Sequence, residues 1–272
     1  MNNKFRLSLV ALLLIVFSCA KNPFTGKNTL ALVSNNEILP SAFQQYNQFL
    51  SENKVVKGTT DAKRIETVGM KIKTAAERWL NANGQAGYLK DYQWEYNLVE
   101  DPAVNAWCMP GGKIVFYTGI MPICKDDAGI ATVMGHEVSH ALANHGQQRM
   151  SAGILQQLGA VGVGAVTGGK SEETQQIAMT AYGATTQYAG MLPFSRSHES
   201  EADKIGLTLM AIAGYNPETA VVFWERMSAN KSGQSPPEFM STHPSDQTRI
   251  ANLKSLIPEA KAEAAKFGVT FK

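Results

Sequence analysis

His136-Glu137-Val138-Ser139-His140 stands inside a mostly apolar run that Asp126 or Asp127 opens and that continues through Ala143, with Gly146 after Asn144-His145 as the stop signal. The run reads as one helix. Positions four apart on a helix lie nearly one above the other, so His136 and His140 can meet a single zinc ion at about 2.0 to 2.1 Å from one backbone conformation. Glu137 is one residue on, beside the metal and not bound to it. From there it can take a proton from water that the ion has acidified and return it to the leaving amine of a peptide bond. The competing view is a histidine pair on a solvated helix face, with the glutamate a mere helix former. It would need the whole pattern to arise by chance in a chain with 5 His among 272 residues.

An open position for water requires a third protein ligand. The solution with a third histidine six residues after His140 is excluded, because position 146 is glycine and position 143 is alanine. His145 points to another face, and its place near the helix end suggests contact with the C-terminal carbonyls. The ligand must then come from a distant segment, and Ser195–Gly206 (SRSHESEADKIG) offers His198, Glu199, Glu201 and Asp203. Glu199 and Asp203 share a helix face; Glu201 is turned away, and it and His198 read as solvated.

An H-E-x-x-H motif followed by E-x-E-A-D resembles the gluzincin family that holds the CAAX prenyl proteases, HtpX and BepA. The resemblance implies Glu199 as the zinc ligand and Asp203 as the carboxylate that orients a zinc-bound histidine. Two further segments match. Asn105–Gly112 (NAWCMPGG) is similar to the family's hairpin, which implies that Asn105, Ala106, Gly111 and Gly112 border the cleft where an extended peptide could add as a strand. An ordinary structural hairpin is the alternative. Ser241–Ile250 (STHPSDQTRI) is similar to a run near the family's C-terminus, so His243 is expected to contact the zinc, to contact the oxyanion, or to cap the metal until substrate arrives. Arg249 is expected to pair with a buried carboxylate. No run of multiple hydrophobic spans like that of HtpX and no helical repeat domain like that of BepA is read in these 272 residues, so the expectation is a resemblance to the stand-alone, Oma-type lipoprotein branch.

The N-terminus has two cations, the apolar stretch Leu7–Phe17, and then Ser18-Cys19. That stretch is short for a bilayer span and fits a secretory signal. Val16-Phe17-Ser18 before Cys19 resembles the bacterial lipobox, which implies acylation of Cys19. The expected organisation is a lipoprotein signal over 1–18, a lipidated tether over 19–34 and a zinc metallopeptidase domain over 35–272. The location implied is a bacterial envelope membrane, the outer one facing the periplasm. Cys108 and Cys124 are as consistent with separate thiols as with a disulfide.

With 44% hydrophobic and 18% charged residues, intrinsic disorder is excluded. The formal charge of +2 includes Lys4 and Arg6 of the signal, and no basic run follows, so nucleic acid is excluded as a partner. Helices are expected over Asn35–Glu52, Thr60–Leu80, Glu172–Ala189, Ser197–Ala213, Pro217–Ala229 and Ser245–Leu256. Tyr92–Leu98 alternates like a half-buried strand, and Ala103–Cys108 and Lys113–Thr118 flank a Pro-Gly turn. Ala152–Gly169 carries six glycines and Gln156-Gln157, making a poor membrane span and a mobile hairpin or lid in expectation. The fold class expected is α+β, mainly helical, with a small antiparallel sheet or hairpin bordering the cleft. The partners implied are unfolded or misassembled envelope proteins and, through the anchor, a membrane. A catalytically silent zinc-binding chaperone lipoprotein is the rival.

Overall fold

The computed structural model describes residues 19–229, 238–243 and 247–271. The expected signal segment, the Cys19 side chain and Pro244–Asp246 lie outside the described residues and side chains. The first strands, β1 (Cys19–Lys21) and β2 (Asn28–Leu30), pair antiparallel around a turn in which Asn22 Oδ1 accepts from Phe24 N at 2.9 Å. Helix α1 (Asn35–Glu52) opens where the Ser34 backbone N–H donates to Glu37 Oε2 at 2.9 Å, half of a capping box. Thr59 caps α2 (Thr60–Ala82) by accepting from Ala62 N. That helix has one apolar face, on which Ile65, Val68, Ile72, Ala75, Ala76 and Leu80 recur at three- and four-residue spacing and are buried.

Four strands form a second sheet: β3 (Val55–Val56), between α1 and α2, and then β4 (Glu95–Val99), β5 (Ala106–Met109) and β6 (Lys113–Tyr117), in the order β3-β4-β6-β5. The β5–β6 hairpin forms as its turn residues require, and β5 is an edge strand. The expectation of an antiparallel sheet is corrected, since β4 runs parallel to β6 with Glu95 opposite Lys113 and Val99 opposite Tyr117, and the sheet is mixed. The cause is local. Gly111 O and Gly112 O in the hairpin turn accept from Gln93 N and Glu95 N at 2.9 and 3.0 Å, which seats the turn against the start of β4. Gly111 and Gly112 have φ of +84° and +81°, and a Cβ on them would run into Phe43 and Trp94. Tyr46 of α1 packs with Val99 and Val115 under the sheet and donates its hydroxyl to Ile114 O.

A 3₁₀ turn (Thr118–Ile120) and the short α3 (Met121–Cys124) lead into α4 (Asp127–Leu142), which carries the H-E-x-x-H residues. Asp126 caps it by accepting from Gly129 N at 2.9 Å. The stop is Asn144, at φ +56°; Gly146 lies inside the next helix, α5 (His145–Thr167). The stretch expected to be a mobile hairpin or lid is therefore a helix, and it packs against α6 (Glu172–Thr185). A π-helical turn (Thr186–Met191) joins α6 to α7 (Leu192–Ile212), followed by α8 (Glu218–Ala229), α9 (Glu238–Thr242) and α10 (Gln247–Lys266). The architecture is α+β and mostly helical. His145 follows closely on the end of α4. It begins α5, fully buried, with its ring stacked at 4.0 Å on His198, which is itself buried and not solvated. Cys108 and Cys124 are free thiols, and burial pushes Cys124 up to about 12.

The chain divides into two compact units: Met1–Ile38 with Asn144–His198, and Leu39–Ala143 with Glu199–Lys272. All the site residues discussed next belong to the second.

Candidate active site

Helix α4 is buried on every side from Gly129 to Leu142, an unusual environment for a stretch holding His136, Glu137 and His140. Its last turn is held from outside: the Tyr88 hydroxyl donates to Leu142 O at 2.9 Å and the Tyr92 hydroxyl to Ala141 O at 3.1 Å. Its middle is held by closeness. A Cβ on Gly206 of α7 would stand 2.9 Å from the backbone of Gly135 and His136, and one on Gly135 would stand 2.8 Å from Gly206 O. The two helices meet almost backbone to backbone. Glu199, Asp203 and Gly206 lie on one face of α7 at helical spacing, so this contact delivers both carboxylates to the histidines.

The geometry at the centre is tight. His140 Nε2 is 3.1 Å from His136 Nε2, and the carboxylate of Glu199 lies 3.3 Å from each of them through its two oxygens. His243, after α9, places Nδ1 at 2.8 Å from Glu199 Oε2 and 3.0 Å from His136 Nε2. One ligand atom from each of these four residues lies within 4.8 Å of the others. Glu137 stays outside the set, with Oε1 3.3 Å from His243 Nε2. Glu137, His140 and Glu199 are at most 8% exposed.

Asp203 sits behind His136. Its Oδ1 is 3.0 Å from His136 Nδ1, a contact that would keep the proton on Nδ1 when Nε2 binds a metal. Arg249 grips Asp203 with two parallel hydrogen bonds, Nε to Oδ2 at 2.8 Å and Nη2 to Oδ1 at 2.6 Å. Its guanidinium lies 3.6 Å over the Trp224 ring, and Trp224 stands edge-on to His136. Phe239 continues this wall, stacked on Trp224 and 4.7 Å from the His243 ring.

Burial and charge pull in opposite directions here. Burial works against a charged His136, but hydrogen bonds to Asp203 and Glu199 outweigh it and lift the ring to about 9. For His140 burial prevails and holds it well below the ordinary value. Burial would also raise Glu199 and Asp203. The three imidazoles outweigh it for Glu199, and Arg249 with His136 outweigh it for Asp203, so both stay below the usual carboxylate range. At Glu137 burial dominates and raises the carboxyl, offset only in part by His243 and His136.

This donor set fits a divalent ion. Two buried imidazole nitrogens facing each other beside a carboxylate need either a shared proton or a cation, and the mixture of nitrogen with one carboxylate is that of zinc, not of magnesium or calcium. The structure brings together His136, His140, Glu199, Glu137, Asp203, His243 and Arg249. Ala106 starts β5 and Asn105 directly precedes it, whereas Gly111 and Gly112 are in the turn, packed on Phe43 and Trp94. Sequence reasoning passed over Trp224, Phe239 and the Gly135–Gly206 contact. Only the last had a signal, a glycine directly before His136 and another three residues after Asp203.

Several known proteins are similar to this chain. Mitochondrial metalloendopeptidase OMA1 of Saccharomyces cerevisiae is 35% identical over 204 residues, covering 72% of this chain and 56% of its own. OMA1 of Homo sapiens is 28% identical over 264 residues, 93% of this chain and 49% of its own. The Beta-barrel assembly-enhancing protease of Escherichia coli (strain K12) is 28% identical over 169 residues, 60% of this chain and 34% of its own. The chain thus spans about half the length of these OMA1 proteins and about a third of the bacterial one. Residues 69–257 match the profile of Peptidase family M48, a span that runs from α2 through α4, α7 and Arg249, and the chain belongs to that family.

Proposed function

We propose that the chain is a zinc-dependent endopeptidase, anchored to a bacterial envelope membrane through acylated Cys19, that hydrolyses misfolded or unassembled envelope proteins. The observation that carries the peptidase reading is the convergence of His136, His140 and Glu199 with Glu137 one step outside them. Bound zinc would supply Lewis-acid polarisation of the peptide carbonyl and a more acidic water. Glu137 takes the proton of the attacking water and delivers it to the departing amine, so its raised affinity for a proton suits both halves of the task. Asp203 keeps His136 in the tautomer that leaves Nε2 free, and Arg249 keeps Asp203 in place.

Strand β5 is at the edge of its sheet, and an extended peptide could add there through backbone hydrogen bonds. Recognition of this kind reads backbone more than side chains and suits unfolded substrates. The envelope address is supported by the lipobox-like Val16–Cys19 and by similarity to a bacterial protease named for β-barrel assembly.

One observation favours a second role at the same site. His243 Nδ1 stands among the donors, where water or a carbonyl would have to enter, so His243 acts as a reversible cap that withdraws when substrate arrives.

The test is casein cleavage with product mapping and metal analysis, wild type against Glu137→Gln. Zinc should stay bound while turnover falls by about 10²- to 10⁴-fold, with wild-type cuts internal to the substrate. A Glu137→Gln chain that retains its envelope phenotype would establish the chaperone reading instead. His243→Ala should raise turnover of small peptides if the cap reading holds, and a fall would assign His243 to the oxyanion.

A further inference from the structure

The hairpin of α5 and α6 presents to its surroundings a surface that water does not favour. Val161, Val166, Leu158, Ile177 and Tyr188 are 62–81% exposed. No Asp, Glu, Lys or Arg occurs between Arg149 and Lys170, and none between Glu173 and Arg196. Scattered exposed apolar residues are ordinary; two adjoining helices whose charges are confined to their ends are not.

The charges that do occur are spaced to a purpose. Arg149 and Arg196 are at the base of the hairpin, and Lys170, Glu172 and Glu173 are at its tip. At 1.5 Å per residue, Arg149 and Lys170 are about 30 Å apart along the helix, which is the thickness of a bilayer's hydrocarbon core. Among the described residues, α5 is the helix long and apolar enough to cross a membrane.

Of the features that argued against a span, the six glycines and Gln156-Gln157, Gln156 is answered inside the hairpin, while Gln157 is exposed. The Gln156 side-chain amide donates to Thr186 Oγ1 at 2.8 Å, and its backbone carbonyl accepts from the Tyr182 hydroxyl at 2.8 Å. Thr167 and Thr186 return their hydroxyls to backbone carbonyls one turn back. Tyr182 reaches across because Gly159 offers no side chain in its path. Helices in lipid pair in this way, through small residues and hydrogen bonds exchanged between neighbours.

The N-terminal part of the chain is bonded to the same place. Leu32 N donates to Ser151 Oγ and Gln147 donates to Val33 O, both at the base of α5, and β2 packs on α5. The stretch Leu7–Phe17 and Cys19 lead directly into that segment, so whatever brings residue 19 to a bilayer brings the hairpin base with it.

We propose that the α5–α6 hairpin inserts into a phospholipid bilayer, with Arg149 and Arg196 at the near headgroups and Lys170, Glu172 and Glu173 at the far ones. The occupant of this surface is lipid, not a second copy or a substrate. The inference adds to the membrane part of the function above and does not depend on peptidase activity.

The experiment reconstitutes the full-length wild-type chain in phosphatidylcholine–phosphatidylglycerol vesicles carrying a photoactivatable group in the acyl tail, and maps the adducts by peptide mass. Adducts are expected within Met150–Thr167 and Gln175–Leu192, on top of any at Cys19. Acylation of Cys19 is read from the intact mass, so failure of the anchor and failure of insertion are scored apart. Depth comes from nitroxides at Met150→Cys, Leu158→Cys, Val161→Cys and Val166→Cys in a Cys108→Ala, Cys124→Ala background. Oxygen should outcompete a nickel chelate most at Leu158 and Val161, and the order should reverse at Lys63→Cys. Chelate access along the whole hairpin, uniform headgroup depth, or adducts to another copy of the chain in place of lipid would each overturn the proposal.

Discussion

At the scale of single residues, the His136–Asp203–Arg249 line decides how firmly a metal can be held. Arg249 spans Asp203 with two parallel bonds while lying flat on Trp224, a geometry that only a planar guanidinium can occupy. Asp203→Asn removes the charge that fixes His136 and should weaken zinc affinity about 10- to 100-fold, read by competition with a chromogenic chelator. Arg249→Lys should have an effect in the same direction, because an ammonium makes one contact where two were made. Unchanged affinity in both would mean that the line is structural only. The spacing of Glu199 and Asp203 was legible in the sequence because a helix imposes it. The burial of His198 was not. It depends on His145 stacked flat on it and Phe194 tilted against it, which no periodicity within one helix announces.

At the scale of elements, the approach of α4 to α7 is set by two absent side chains. Gly206→Ala would force a methyl to within 2.9 Å of the α4 backbone. Such overpacking costs about 1–3 kcal/mol, and a shift of α7 would also draw Glu199 away from the histidines. Thermal melting should show the loss, and metal affinity should fall with it. Gly153→Ala on α5, where a Cβ meets nothing within 4 Å, is the control and should leave the melting temperature level or slightly higher. Elements with one dominant pattern were readable: the stripe of α2, the Asp126 cap of α4 and the Pro-Gly hairpin. Two were not. The parallel pairing of β4 with β6 depends on turn carbonyls that dock on a strand from elsewhere in the chain, and alternation reports a strand without naming its neighbour. The glycines of α5 argued against a helix because their cost was counted without α6, whose Tyr182 needs the space at Gly159.

At the scale of the whole molecule, the four candidate donors come from positions 136 to 243, so a bound ion ties together segments that share no local structure. Ligand held by the folded state and not by the unfolded one stabilises by about 2.7 kcal/mol at a hundredfold excess over Kd. For a chain of this size that corresponds to a fall in melting temperature of about 5–10 °C on chelation, restored by zinc and measurable by scanning calorimetry. A melting curve indifferent to chelator would contradict a resident ion. The same dispersion bears on synthesis. Asp203 meets its guanidinium only when residue 249 of 272 has arrived, and Trp224 is the shelf on which that guanidinium rests. A chain still emerging from the ribosome holds the histidines and the glutamate of α4 without this late clasp. Completion of the centre is thereby tied to chain order: its last clamp closes only after the segment carrying residue 249 has been made.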